Sequence, residues 1–313
     1  MPNWCYNKIQ FADREGFERA ASLLRSDGGG SRLSSIIKMP KSVSIASSDA
    51  LQAALQLFYC LYATDSERAA VDEYRERRVP SYSSFDDERL ASKLRRMWDD
   101  TAENLVRLGV DVPRWDGANP MRSLDEIDRL AVGKGVALQF GEDVFTCDGV
   151  VEYGRVAVDN IVKHGAVSWY DWACKNWGTK WDAEIEIDDG EAEMTCTTAW
   201  CPPIEAFQKL AADCAAALVL SYDDEQFAVV TGVVSILDDG EVYEEKCDEL
   251  SMYELFQVAA SVTDPDQEEY RLDPDTFKVV WRGEDADDFD SLPVVDLFDS
   301  PADKALARLR RAL

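Results

Sequence analysis

Trp181-Asp182-Ala183-Glu184-Ile185-Glu186-Ile187-Asp188 alternates apolar and charged residues without a break. Asp189-Gly190 follows, and Met194, Cys196 and Thr198 then alternate with Glu193, Thr195 and Thr197. A period of two predicts strands with one buried and one exposed face, and Asp-Gly between them predicts a two-residue hairpin turn. Moving outward, Pro202-Pro203 stands where a helix begins, and Phe207, Leu210, Ala211 and Cys214 recur at helical spacing. Strands are predicted at Ala217–Tyr222 and Phe227–Leu237, with Asp239-Gly240 turning the chain into Val242–Glu245. Far upstream, Asn7–Ala12 reads as a strand. Asp13 can cap the helix after it, whose core face is Phe17, Ala20, Ala21 and Leu24.

Strand, helix, hairpin, helix, strand is the βαββαβ succession of a ferredoxin-like unit. The expectation is an α+β protein with a discontinuous ferredoxin-like antiparallel sheet, a large helical insertion and an acidic C-terminal extension. The boundaries read as 1–26 plus 165–250 for the split domain, 27–164 for the insertion, and 251–313 for the extension. Within the insertion, helices are predicted from Ser48 or Asp49 through Tyr62, from Asp86 to Leu108, over Leu124–Val132 and over Arg155–His164. The second of these carries the apolar stripe Leu90, Leu94, Met97, Trp98, Leu105 and Leu108 beside Arg89, Lys93, Arg95 and Arg96. The extension holds a helix near Met252–Ala260 and a dense acidic run at Asp285–Asp290. Asp303–Leu313 reads as a short basic amphipathic helix that folds back on the acidic body.

Charge excludes more than any motif does. Among 313 residues, 61 are Asp or Glu and 33 are Lys or Arg, a net charge of −28. Direct nucleic-acid binding needs clustered cations and is not expected, and anionic membrane surfaces are disfavoured for the same reason. A basic partner would be drawn in by the same field. The opening residues form no basic-then-apolar leader and no apolar run is long enough to span a bilayer, so the expected location is the cytoplasm. The eight cysteines include no Cys-x-x-Cys pair and His164 is the only histidine. Reduced thiols, no structural metal and no cofactor are expected. No phosphate-binding glycine loop is present, and His164 in Lys163-His164-Gly165 reads as a helix end.

Met1-Pro2-Asn3-Trp4-Cys5-Tyr6-Asn7, Ile36-Ile37-Lys38-Met39-Pro40, Trp169-Tyr170-Asp171-Trp172 with Asn176-Trp177-Gly178-Thr179-Lys180-Trp181-Asp182-Ala183, and Thr198-Ala199-Trp200-Cys201-Pro202-Pro203 stand out as strings. Together they resemble the YubB ferredoxin-like family carried by plasmids and phages. Lys38 stands where a proline is usual. The resemblance covers about 1–45 and 155–240. It implies a ferredoxin-like topology, with no iron–sulfur cluster, and carriage on a mobile element. It brings no catalytic mechanism, and fold alone supplies none.

Two groups of residues are candidate sites. Trp4, Trp169, Trp172, Trp177, Trp181 and Trp200, with Asn7, Asn176 and Lys180, form either a locked core or an aromatic cleft for a ligand. Asp182, Glu184, Glu186 and Asp188 share a strand face with Glu191 and Glu193 across the hairpin. That row is open to a basic partner, a cation, or plain solvation. Asp285, Asp287 and Asp288 extend the acidic surface. No residues form a catalytic constellation. The expected function is a non-catalytic acidic protein-interaction protein of a mobile genetic element, engaging a basic host protein. A sharper form is counter-defence by DNA mimicry. The alternative is a small-ligand binder or enzyme using the tryptophan-rich cleft, with Lys180, Asp182 and Asp171 as polar groups. Partner identity and oligomeric state are not readable from the sequence.

Overall fold

The computed structural model describes residues 3–26, 30–77, 87–136, 139–140, 143–144, 149–263, 266–283 and 289–312. The expectations that rested on Met1-Pro2, Asp86, Asp285, Asp287, Asp288 and Leu313 lie outside the described residues, as do those on the side chains of Arg89, Leu90 and Lys93. The chain forms two compact units, Met1–Lys38 with Ala173–Leu313, and Met39–Trp172. In chain order the elements are β1 (Trp4–Phe11), α1 (Arg14–Ser26), α2 (Leu33–Ile36), α3 (Asp49–Leu61), α4 (Asp65–Arg77), α5 (Asp87–Arg107), α6 (Pro120–Gly133), β2 (Gln139–Phe140), β3 (Asp143–Val144), α7 (Val150–His164) and α8 (Trp169–Asn176). There follow β4 (Ile185–Asp188), β5 (Glu193–Ala199), α9 (Ile204–Cys214), β6 (Leu218–Asp224), β7 (Gly232–Ile236), β8 (Val242–Lys246), α10 (Met252–Thr263), β9 (Tyr270–Leu272), β10 (Val279–Trp281) and α11 (Pro301–Ala312).

The first unit is built on an antiparallel sheet in the order β4-β5-β1-β6-β7-β8. Its first four members are the four strands of the succession β1-α1-β4-β5-α9-β6. β1 pairs on one side with β5, from Trp4 opposite Ala199 to Gln10 opposite Glu193. On the other side it pairs with β6, from Cys5 opposite Asp224 to Phe11 opposite Leu218. Odd positions Cys5, Ile9 and Phe11 are buried, and Phe11 meets Phe17 of α1 edge-on at 5.6 Å. Asp13 starts that helix by accepting a hydrogen bond from the Gly16 amide at 2.7 Å. Even positions face the other way. Gln10 stands opposite Val219, which packs with Val233, Val258 of α10 and Ala302, Ala305, Leu306 and Leu309 of α11. β6 is therefore covered on both faces, and every residue in it is buried. That is why Ala216–Leu220 is an unbroken apolar run.

The structure corrects several expectations. The hairpin loop between β4 and β5 spans four residues, since Asp188 pairs with Glu193. The Asp188 carboxylate accepts from the Gly190 and Glu191 amides, and Ala192 takes φ 58°, so the turn is set by a side-chain cap rather than by Asp-Gly. The strand expected from Phe227 begins only at Gly232. The Asp223 carboxylate binds the Ala228 amide and the Thr231 hydroxyl, which holds 225–231 as a loop with Phe227 and Ala228 at positive φ. The helix expected near Met252–Ala260 spans Met252–Thr263. α10, the β9–β10 hairpin and α11 supply apolar cover, and Arg308 of α11 pairs with Glu244 at 2.7 Å.

The second unit packs α3, α5, α6 and α7 around Leu51, Leu55, Leu94, Met97, Leu105, Leu124, Ile127 and Val158. Ser48 caps α3 by accepting from the Leu51 amide, and Asp128 caps α7 by accepting from the Val150 and Val151 amides. Gly154 lets α7 approach α3 closely. A Cβ there would lie 2.1 Å from the Ala54 carbonyl oxygen. Leu108 leaves the expected stripe and is 63% exposed, because Gly109 at φ 74° ends the helix beneath it. Helix α4 was not anticipated. Val71 is its one buried residue, so its hydrophobic stripe is faint, yet Thr64 and Glu67 form a reciprocal capping box in front of it. Among the described residues no helix is long and apolar enough to cross a membrane.

Three stability outcomes follow from this packing. Leu309→Ala should cost about 2–5 kcal/mol in urea unfolding, because a buried leucine joins α11 to the sheet. Phe298→Ala, at a side chain that is 85% exposed, should change stability by less than about 0.5 kcal/mol. Gly154→Ala should cost about 1–3 kcal/mol through overpacking of α3 against α7.

Candidate functional site

The tryptophans expected to line one cleft divide into buried and exposed groups. Trp177 is buried and its Nε1 donates to the Ile37 carbonyl at 2.9 Å, a structural tie. Gly178, at φ 82°, then turns the chain where a Cβ would strike the Glu205 carboxylate. The turn carries Lys180 and Trp181 to the surface. Trp4, Trp181 and Trp200 are all more than a third exposed, and the rings of Trp4 and Trp181 lie 6.1 Å apart. Lys180 Nζ sits 4.7 Å from the Trp181 ring and 4.6 Å from the Trp200 ring, so its ammonium occupies both aromatic faces. Trp200 takes φ 76°, held there by its amide donating to the Asn3 carbonyl and by Thr198 donating to the Cys201 carbonyl. Thr179 is buried and donates to the Ala199 carbonyl at 2.9 Å.

Asn7 is not part of this surface. It is buried on the opposite side of β1, and its amide nitrogen donates to the Cys5 carbonyl at 2.9 Å and to the Cys196 carbonyl and Thr198 hydroxyl at 3.0 Å. It fastens β1 to β5. Beside it, burial pushes the Cys5 thiol up to about 12, which leaves it inert as a nucleophile. Trp169 and Trp172 belong to the second unit, where Trp172 is buried and Trp169 stands edge-on to Tyr170. Asp171, also buried there, accepts from the Tyr74 hydroxyl at 2.6 Å. Asn176 is half-buried at the end of α8. Within the first unit, Asn7 and Trp177 are buried, and the candidate ligand surface there reduces to the exposed Trp4, Trp181 and Trp200 around Lys180.

The carboxylate row also divides. Asp182 accepts from the Ser34 amide, the Ser34 hydroxyl and Arg32, and so anchors α2. Asp188 caps its own turn. Glu193 pairs with Lys8 at 2.9 Å and accepts from Gln10. Glu184, Glu186 and Glu191 are exposed and have no ion-pair partner among the described residues. No group of three or more metal-ligating side chains converges among the described residues.

The strand expected over Ala217–Tyr222 runs on through Asp223 and Asp224, which belong to β6. Asp223 is fully buried, and its Oδ2 has no hydrogen-bond partner. Burial raises its pKa to about 7. Three acids closing an otherwise apolar strand were the available signal. Asp224 and Glu225 line a cavity of about 350 Å³ with Tyr6, Phe227, Glu268 and Glu269. The buried Asp223 carboxyl is not presented to a substrate, so its role is to hold the loop that shapes this cavity's wall.

Residues 176–266 match the model of a family described as a ferredoxin-like domain in Api92-like protein. Helices packed with an antiparallel sheet in this segment fit that description, and the chain carries a ferredoxin-like domain of the α+β class. Among solved structures, the crystal structure of protein api92 from Yersinia pseudotuberculosis is similar at 12% identity and a TM-score of 0.29, over 80% of this chain and 99% of that one. No curated protein matches the chain.

The roles of the buried and exposed groups separate on mutation. Asn7→Ala should cost about 1–3 kcal/mol by leaving buried acceptors unmet, whereas Lys180→Met should cost about 0.5–1 kcal/mol, both read by urea unfolding. Asp223 gives a pH signature. Its folded pKa of about 7 lies above the ordinary 3.8, so the folded state holds a proton that the unfolded chain releases. That contribution is complete below about pH 3.8, declines as pH rises toward 7, and totals on the order of 4 kcal/mol. Asp223→Asn should remove this decline. Unfolding curves for both proteins between about pH 5 and pH 8 check it, and parallel pH dependence would contradict the assignment.

Proposed function

We propose that this chain is a non-catalytic interaction protein whose acidic surface engages a basic protein partner. The observation that carries the reading is the set of exposed carboxylates, Glu184, Glu186 and Glu191, left without ion-pair partners among the described residues of a chain of net charge −28. Like charges gathered on one face destabilise the free protein slightly, and a cationic partner relieves that repulsion. The Trp4–Trp181–Trp200 surface beside it supplies large, rigid apolar area of the kind that anchors interfaces. The alternative of a ligand cleft or enzyme site is weakened by the burial of Asn7, Trp172 and Trp177 and by Lys180 already covering two indole faces.

The reading extends to the architecture and setting. The ferredoxin-like domain is discontinuous, with its first strand and helix supplied by the N-terminal residues and the remainder by residues after 172. The strings shared with the YubB family favour a plasmid or phage protein acting in the cytoplasm. Occupation of a basic host surface, as in DNA mimicry, is the sharpest form of that role.

The test is affinity capture with the full chain from nuclease-treated host lysate at about 0.1 M and about 1 M salt, where the screening length shrinks from about 10 Å to about 3 Å. Capture of one basic protein at the lower salt and its loss at the higher is the expected result. A partner retained equally at both, or a neutral one, would overturn the electrostatic reading.

A further inference from the structure

Asp223 holds a loop with one oxygen and leaves the other unused. Its Oδ1 accepts from the Ala228 amide at 2.9 Å and from the Thr231 hydroxyl, while Oδ2 is buried without a partner. Ser221, two residues back on the same face of β6, has a buried hydroxyl that is also unpartnered. The charge that acts on Asp223 is the like charge of Asp224. On β1, Tyr6 stands opposite it and Cys5 opposite Asp224, while Lys8 is paired with Glu193. β7 and the buried residues of α10, Phe256 to Ala260, carry no titratable side chain. α11 packs at the Val219 end of β6, where Arg308 is engaged by Glu244 and Arg310 by the Ala12 carbonyl. Glu225, Glu268, Glu269 and Tyr270 line the neighbouring cavity.

The loop tied to this carboxyl, 225–231, has few other anchors. Phe227 and Ala228 stand at φ 49° and 59°, two successive side chains in the left-handed region. Asp224 ties the entry, through the Gln226 and Phe227 amides. Val229 and Val230 are exposed. The apolar anchor is Phe227, stacked on Tyr270 at 4.0 Å and edge-on to Phe256 at 5.2 Å. At the start of the loop, the Glu225 amide donates to the Trp4 carbonyl and its carboxylate accepts from the Trp4 amide. A neutral carboxyl tolerates a dry site with one oxygen unmet, whereas an ionised one does not. Opening the loop relieves the ionised group by admitting water to Oδ2 and to the Ser221 hydroxyl, and it releases the two left-handed residues.

We propose that loop 225–231 is a proton-controlled flap, closed over a protonated Asp223 and released when the carboxyl ionises, uncovering the seat of Phe227 on Phe256 and Tyr270. The flap begins at the residue that brackets the Trp4 backbone, so its release also loosens one member of the exposed indole trio. The sign follows from the two states. The closed group titrates at about 7 and a hydrated one near 3.8, so opening releases a proton between those values. The opening equilibrium therefore rises about tenfold per pH unit across that window and levels off above about pH 7.

The experiment is amide hydrogen exchange on the full chain between about pH 5 and pH 8, with each rate corrected for its intrinsic base-catalysed value. The reporter is the Ala228 amide, which donates to Asp223. Its protection should fall about tenfold per pH unit up to about pH 7 and then level off, while the amides of β1 stay better protected at every pH. Asp223→Asn should make the Ala228 profile flat. Thr231→Val gives a second test that does not depend on that variant folding. The Thr231 hydroxyl lowers the pKa of Asp223, so its loss should move the levelling point above pH 7. A flat profile in the wild type, an unchanged slope in Asp223→Asn, or an unmoved levelling point in Thr231→Val would each overturn the flap. So would Ala228 exchanging no faster than the β1 amides, because the opening would then be global unfolding.

Discussion

Everything in the larger unit depends on β1 being hydrogen-bonded along both edges. A central strand leaves no backbone group free, so its partners must reach it with matched register. Here those partners lie some 190 residues later in the chain, as the pairing of Asn7 with Cys196 shows. The Asn7 amide adds a side-chain tie across the same ladder, reaching the Cys196 carbonyl and the Thr198 hydroxyl. Pairing on both sides also sets the alternation of β1. Odd residues enter one core, and even residues Tyr6, Lys8 and Gln10 face the other way, half-buried.

A long excursion between β1 and its partners is tolerable only if the chain leaves and returns at one place. The contacts near the two crossing points accomplish this. Trp177 donates to the Ile37 carbonyl, the Leu33 amide donates to the Ala183 carbonyl, and the Ile185 amide donates to the Ser31 carbonyl. Asp182 completes the closure by gathering Arg32 and Ser34. Several residues conspicuous in the sequence, Trp177 and Asp182 among them, are therefore occupied in closing the fold. What remains outward is the trio of indoles around Lys180 and the exposed Glu184, Glu186 and Glu191, which have no ion-pair partner among the described residues.

The strands and helices of the βαββαβ succession were legible because their periods are strong. Alternation over Ile185–Asp188 and Glu193–Ala199, and helical spacing over Phe17–Leu24 and Phe207–Cys214, left little choice. Helix α4 was not legible by that route because a mostly polar helix has no stripe to read, and only its capping box marked it. The candidate site was less legible still. Composition identified the tryptophans and carboxylates, yet periodicity could not say that Asn7 and Trp177 would be buried while Trp4, Trp181 and Trp200 stayed exposed. Gly178 and Trp200, both at positive φ, decide that division by turning the backbone.

By itself the sequence determined the charge of the surface, the identity of the main strands and helices, and which side of each faces a core. These follow from local period and composition, which act over a few residues. The tertiary structure alone decided which carboxylates would be neutralised, that Asp223 would be buried with one oxygen unmet, and that Tyr6, Lys8 and Gln10 would each open on a cavity. Those outcomes depend on side chains drawn from β1, α10 and α11, brought together only when the sheet closes. Burial and cavity shape are properties of that packing, and no local pattern encodes them.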